Sequence, residues 1–305
     1  MILTISAFLS LAMVGFFHTI LGTALPAIRL SLDMDMAQAG LMGSAAWLGF
    51  TLAVFAGGTL SDFFPRQRVL MVASLMIGFS AIFFGMWPAF GLNCFLIGVL
   101  GAGTGGIVSS SSALVIGLYP RKEGVIMNVH HFFYAIGAIT GPLLMGYVLK
   151  RGWHWQWIYR MGGAWLLIVS AVIAFQRVKL ENNKNSMGHR SLVYLLKEKN
   201  LILLILVTVF GVGTQNGIYV WLVSFLQDAR SFPIFQAGMG LSLYALGMAV
   251  GRLISGGLSA RIKNAGVLLL LLRLLNLVLI LSWYVSHPGL MLVLCLAAGL
   301  ACSGE

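Results

Sequence analysis

"QAGLMGSAAWLGFTLAVFAGGTLS" (residues 38–61) and "QAGMGLSLYALGMAVGRLISGGLS" (residues 236–259) align without a gap at a displacement of 236 − 38 = 198 residues. Identical pairs are Gln38/Gln236, Ala39/Ala237, Gly40/Gly238, Ser44/Ser242, Leu48/Leu246, Gly49/Gly247, Gly58/Gly256, Leu60/Leu258 and Ser61/Ser259. The same displacement pairs Gly15 with Gly213, Gly91 with Gly289, Gly101 with Gly299 and Gly106 with Gly304. Gly-rich apolar helices match by chance at scattered glycines. An ungapped Gln-Ala-Gly and Gly-x-Leu-Ser in one register calls instead for an internal repeat.

What repeats is membrane-embedded. The chain has 305 residues, 59% of them hydrophobic and 9% charged, with a mean hydropathy of +0.95. A soluble globule cannot be dressed from so few polar side chains. Apolar runs of about 20 residues, each long enough to cross a hydrocarbon core of about 30 Å as a helix, recur along the whole length. A signal peptide would give one such run, and the alternation expected of an outer-membrane barrel is missing. The class is an all-α polytopic membrane protein. We read ten spans, at about 4–28, 37–60, 68–87, 91–118, 125–149, 158–176, 200–226, 234–259, 264–284 and 289–305. Residues 1–176 make an N-terminal six-helix bundle, 177–199 a cytoplasmic linker, and 200–305 a C-terminal bundle of spans 7 to 10.

The net charge of +11 is a topology signal and no nucleic-acid footprint, because the cations sit singly or in pairs in short loops. With the N-terminus in the cytoplasm, the inside loops hold Arg66, Arg68, Arg121, Lys122, Arg177, Lys179, Lys184, Arg190, Lys197, Lys199, Arg261 and Lys263. The outside loops hold Arg29, Lys150, Arg151 and Arg230. Such an imbalance orients a membrane protein and suits a bacterial inner membrane. Cys94, Cys295 and Cys302 stand in apolar runs without metal-ligand spacing and read as small buried hydrophobes.

Spans 1 to 4 match spans 7 to 10, an even offset, so the two copies share one orientation; this is the parallel repeat of six-plus-six transporters. With that repeat and the stretch "GGTLSDFFPRQRVL" (57–70), the sequence resembles the major facilitator superfamily along its whole length. The stretch is similar to the family signature between spans 2 and 3, here Gly58, Leu60, Asp62, Arg66 and Arg68, and departs from it at Phe63 and Pro65. The second copy, "GGLSARIK" (256–263), carries Ala260 in place of Asp62. The resemblance implies two parallel six-helix halves. By repeat arithmetic the second would close near 176 + 198 = 374, so a C-terminally truncated chain is expected, its second half incomplete. It also implies that Gly58, Asp62, Arg66 and Arg68 form a conformational latch. Asp62 would stand near the N-terminus of span 3, where a helix dipole favours an anion. The arginines would pair with acidic groups or helix ends of the other half in one access state.

"HHFFYAIGAITGPLLMGYVL" (130–149) and "GVGTQNGIYVWLVSFL" (211–226) are similar to the sugar branch that includes fucose permease and glucose/galactose carriers. Gly137, Gly141, Pro142 and Gly146 also resemble the Gly-Pro motif of drug/proton antiporters, so both branches stay open. Polar residues inside spans mark candidate sites. His18 and the pair Gln215–Asn216 lie near mid-span, and the repeat maps His18 onto Asn216. In the resembled family such positions face a central cavity lined by spans 1, 4, 7 and 10. Gln215 and Tyr219 share a helix face, with Asn216 and Trp221 nearby; amides and a hydroxyl suit sugar hydroxyls, and a ring suits a sugar's apolar face. Asn128, His131 and Tyr134, at spacings of three, share a face of span 5. Ser109 to Ser112 and the glycines at 101, 103, 105 and 106 read first as packing.

The expected function is a secondary active or facilitative transporter of a small polar solute, a sugar or sugar-like metabolite, working by alternating access. The alternative is a drug or metabolite exporter of the same fold, a proton antiporter. Neither enzyme chemistry nor a cofactor or metal is expected, and the partners are the solute, the lipid bilayer and, if transport is coupled, a proton; the chain is expected to be monomeric. Spans 1 to 9 contain no carboxylate. The proton carrier is then His18, His130, His131 or Glu305, or transport is uncoupled.

Overall fold

The computed structural model describes residues 2–176, 199–259, 275–277, 279, 281 and 287–302. It holds helices α1 (Ile2–Ser31), α2 (Met36–Phe63), α3 (Arg66–Phe83), α4 (Phe90–Leu118), α5 (Glu123–Lys150), α6 (Gln156–Ala174), α7 (Lys199–Asp228), α8 (Ile234–Ser259) and α9 (Pro288–Cys302). There is no strand among the described residues. Seven of these helices, α1 to α6 and α8, are long and apolar enough to cross a membrane. Most of span 9, linker residues 177–198, Arg261, Lys263, Arg273 and Glu305 lie outside the described residues.

The chain divides into two compact units, Met1–Asn182 and Asn183–Glu305. In the first, α1 packs on α5, α2 and α3 pack on α4, and α6 packs on α3. Backbone approaches through glycine set these pairings, as expected where apolar side chains gain nothing by leaving lipid. A Cβ on Gly15 would stand 2.1 Å from the Tyr134 carbonyl oxygen, and one on Gly137 would stand 1.8 Å from that of Ala12. These two contacts lock α1 to α5. Between α2 and α4, a Cβ on Gly49 would meet Gly98 O at 2.1 Å and one on Gly101 would meet Ala46 O at 1.9 Å.

The second unit repeats the α2/α4 contacts in α8/α9. A Cβ on Gly247 would stand 2.2 Å from Leu296 O, and one on Gly299 would stand 2.0 Å from Tyr244 O. Each of these four residues is its first-unit counterpart plus 198: 49 to 247, 98 to 296, 101 to 299 and 46 to 244. The sequence repeat is therefore a repeat of helix contacts. Around the second contact pair Tyr219, Leu222, Leu226, Leu241, Tyr244, Met291 and Cys295 form a buried core.

Span 3 ends sooner than its sequence pattern predicts, at Phe83 and not near residue 87. Phe84 turns extended, and Gly85 follows at φ +73°. Asn93, buried in the first turn of α4, then holds the turn: its Oδ1 accepts from Gly85 N–H at 2.8 Å, and its Nδ2 donates to Trp87 O and Ala89 O at 2.8 and 3.0 Å. This polar clasp stops a helix that apolar patterning would carry further. At the same end of the bundle, Trp155 donates to Ser31 Oγ at 3.0 Å, and Trp87, Trp153 and Trp157 are exposed. Tryptophan favours the membrane interface. The opposite end carries Arg66, Arg68, Arg121 and Lys122, so the unit has an aromatic end and a basic end.

Candidate functional site

Four helices of the first unit converge on His18, which stands about 24 Å along α1, near the middle of its roughly 45 Å length. Its Nδ1 lies 3.2 Å from the Tyr134 hydroxyl on α5, and its Nε2 lies 3.2 Å from Thr104 Oγ1 on α4. Thr104 gives its own hydroxyl hydrogen to Gly101 O at 2.7 Å. Its Oγ1 is thereby left as an acceptor, so Nε2–H donates to it. In the neutral imidazole Nδ1 is then the acceptor, and Tyr134 O–H donates. Two hydroxyls from two helices thus select one tautomer.

Aromatic rings close the sides. From α2, Trp47 and Phe50 approach the imidazole with centroids at 4.8 and 5.2 Å, and Tyr134 lies at 5.9 Å. The glycine contacts produce this convergence. Gly15 and Gly137 draw α1 onto α5 at one level, one turn before His18 on α1 and one turn after Tyr134 on α5. Gly101 draws α4 onto Ala46, beside Trp47. A cavity of about 20 Å³ lined by His18, Trp47, Phe50 and Thr104 adjoins the ring, room for about one water molecule.

Of the residues expected from sequence, His18 and Tyr134 are joined directly. Asn128 and His131, on the same helix as Tyr134, are exposed. Their neighbour His130 is buried, its Nε2 3.0 Å from Ser111 Oγ, and its Nδ1 has no partner. Ser109 and Ser110 bond carbonyls four residues back, at 3.2 and 2.5 Å, as packing serines do. In the second unit Gln215 is buried and Asn216 half-buried. Tyr219 is 1% exposed, donates to Met248 Sδ at 3.4 Å and meets Tyr244 edge-on, so it is a member of the core. Trp221 is exposed.

Of the latch residues, Gly58 and Asp62 belong to α2, and their side chains lie outside the described residues. Asp62 falls in the last turn of α2, four residues before α3 begins. It lies just ahead of α3, with α2 continuing through Phe63. Arg66 opens α3 and donates to Ala113 O at 2.7 Å, a partner inside its own unit. Arg68 is exposed. Beside them Gln67 Nε2 donates to Ile173 O at 2.7 Å and to Gln176 O, capping the end of α6.

Thr104, Trp47 and Phe50 escaped the sequence reading. Thr104 sits in "GAGTGG", which reads as packing, and the two rings read as ordinary apolar residues of a span. Their place depends on how α2 and α4 are rotated, which only the glycine contacts fix. Among the described residues no group of three or more His, Cys, Asp or Glu side chains is placed to hold a metal ion.

Similar proteins point the same way as the fold. A probable sulfoacetate transporter, SauU, of Cupriavidus necator is 26% identical over 265 residues, which are 81% of this chain and 62% of that protein. A probable hexose phosphate transport protein of Chlamydia pneumoniae is 24% identical over 276 residues, 79% of this chain and 60% of that protein. The chain thus spans about three fifths of the length of these relatives. The crystal structure of FucP, a transporter in the outward conformation, superposes with a TM-score of 0.66 at 19% identity, covering 99% of this chain and 81% of that one. A model of the Major Facilitator Superfamily matches residues 7–304, nearly the whole length, and the chain belongs to that family as an integral multi-pass membrane protein.

Proposed function

We propose that the protein is a transporter of a small polar solute, a sugar or sugar-like metabolite, that works by alternating access and not by enzymatic chemistry. The observation that carries this reading is the His18 cluster: an imidazole held by the Tyr134 and Thr104 hydroxyls and flanked by the rings of Trp47, Phe50 and Tyr134 itself, drawn from four helices, at mid-membrane depth. Hydroxyl and imidazole groups match the hydroxyls of a sugar, and ring faces match its C–H surface. A space of about 20 Å³ admits water and not a hexose, so the cluster describes a closed state that opens as the helices part. In the same reading Asn128, His131, Gln215, Asn216 and Trp221 contribute further contacts. Gly58, Asp62, Arg66 and Arg68 form the latch, with the N-terminus on the cytoplasmic side.

A second reading, an organic anion as solute, is favoured by two observations. Relatives are named for sulfoacetate and hexose phosphate. The acidic residues of the sequence through α6, Asp33, Asp35, Asp62 and Glu123, all fall at helix ends, so the interior of these spans offers an anion no repulsion.

The test is uptake into liposomes by the reconstituted protein. Labelled neutral hexoses, hexose phosphates and sulfoacetate are compared, with and without a proton gradient. Saturable hexose uptake that falls at least tenfold in His18→Ala supports the first reading. Uptake confined to the anions selects the second, and export of hydrophobic dyes without uptake of any of these solutes refutes both.

A further inference from the structure

A second cavity in the first unit lies away from His18. It is a groove of about 680 Å³ between α2 and α3, floored by α4. Leu52 and Ala56 line its α2 wall, Val72 and Met76 its α3 wall, and Ala102 and Gly106 its floor. The small floor residues let the groove reach the level of α4 itself. Leu52 and Val72 are 61% and 49% exposed, so the groove opens outward. Its lining, from residue 68 to residue 76 on α3, runs about 12 Å along the helix. That is most of one leaflet, about 15 Å or half of the hydrocarbon thickness.

Every residue lining the groove is apolar except Arg68. It stands at the basic end of the bundle, exposed. Two residues away Arg66 is committed to Ala113 O, whereas Arg68 is among the residues that line the groove. A hydrocarbon channel with one cation at its headgroup end matches the two parts of a lipid: an acyl chain and a phosphate. We infer that the groove binds one phospholipid with an anionic headgroup, its chain between α2 and α3 over Ala102 and Gly106 and its phosphate on Arg68. A bound lipid would fill the gap between α2 and α3, and so hold the signature loop that joins them.

The 305-residue protein, stripped of lipid in detergent, is titrated with phosphatidylglycerol or with phosphatidylcholine of the same acyl chains. Retained lipid is counted by native mass spectrometry. Phosphatidylglycerol is expected to be retained in preference, as a single adduct. Arg68→Gln weakens it about fivefold, the effect of one basic residue at a lipid surface, and Arg68→Lys restores most of it. Ala56→Trp, which fills the groove from an exposed position, abolishes it. Arg121→Gln, at the same end but outside the groove, leaves it unchanged, and so does inorganic phosphate. Equal retention of the two lipids, survival of the adduct in Ala56→Trp, an equal loss in Arg121→Gln, or displacement by phosphate overturns the inference.

Discussion

Gly49→Ala and Gly247→Ala should destabilise their units by similar amounts, although they lie 198 residues apart. In α2 the new Cβ would stand 2.1 Å from Gly98 O, and in α8 it would stand 2.2 Å from Leu296 O. Ordinary contact begins at 3.4 Å, so the helices must part by 3.4 − 2.1 = 1.3 Å and 3.4 − 2.2 = 1.2 Å. A backbone carbonyl has no rotamer to escape into. A gap of about 1 Å forfeits up to half of the dispersion energy of the atoms facing it, and overpacking costs about 1–3 kcal/mol per site. At about 2–4 °C per kcal/mol for units of this size, each variant should melt several degrees lower. Gly213→Ala is the control. It occupies a helix interior with nothing within 4 Å of the added Cβ, so it keeps the propensity gain of about 1 kcal/mol and melts slightly higher. Thermal unfolding in detergent separates the units. In a Cys94→Ala, Trp221→Phe, Trp283→Phe background, a thiol-reactive dye reports the second through the buried Cys295 and Cys302, and tryptophan fluorescence reports the first, with its buried Trp155. An unchanged melting temperature in Gly247→Ala beside a lowered one in Gly49→Ala would refute the claim that the two contacts are one structure repeated.

Other perturbations test the site and the turn. Thr104→Val keeps shape but strips His18 Nε2–H of its acceptor; about 1–3 kcal/mol of stability and a substantial part of uptake should be lost, read by melting and by liposome transport. Tyr134→Phe removes the donor to Nδ1 and should lower uptake more than it lowers the melting temperature, since the ring stays packed against His18. Asn93→Ala breaks three hydrogen bonds that hold the 84–89 turn and should cost about 2–3 kcal/mol in thermal unfolding, with transport by the surviving folded protein unchanged. Ser111→Ala leaves His130 without its one hydroxyl partner and should destabilise the first unit by about 1–3 kcal/mol, a loss that Ser111→Thr restores.

The helices were legible because apolar length is enough to announce a membrane span, and their pairing was foreshadowed by a repeat whose identities cluster at Gly40, Gly49 and Gly58. The end of α3 was not legible. It depends on Asn93, ten residues past the helix end, folding back to satisfy Gly85 N–H. The candidate site was half legible. His18 and Tyr134 stand out as polar residues in apolar spans. That they touch each other, with Asn128 and His131 left at the surface, follows from the rotation of α5 against α1, and Gly15 and Gly137 set that rotation. Spacing within α5 groups Asn128, His131 and Tyr134 on one face, but it says nothing of which of them the neighbouring helix reaches.

The repeat also separates scaffold from chemistry. Adding 198 to the residues of the α2/α4 glycine contacts returns contacts of the same kind: Gly49 to Gly247, Gly101 to Gly299. Adding it to the residues around His18 returns nothing of the sort. His18 becomes Asn216, Thr104 becomes Cys302, Trp47 becomes Ala245 and Phe50 becomes Met248. In the second unit Met248 receives the Tyr219 hydroxyl within the core, and Cys302 is buried. Close helix contact tolerates no side chain, so both copies keep it. A polar constellation is free to change once the backbone is placed, and among the described residues the hydrogen-bonded imidazole among aromatic rings stands in the first unit. Two copies of one scaffold have thus come to carry different interiors, which is what a carrier needs if it is to hold an asymmetric solute in one orientation.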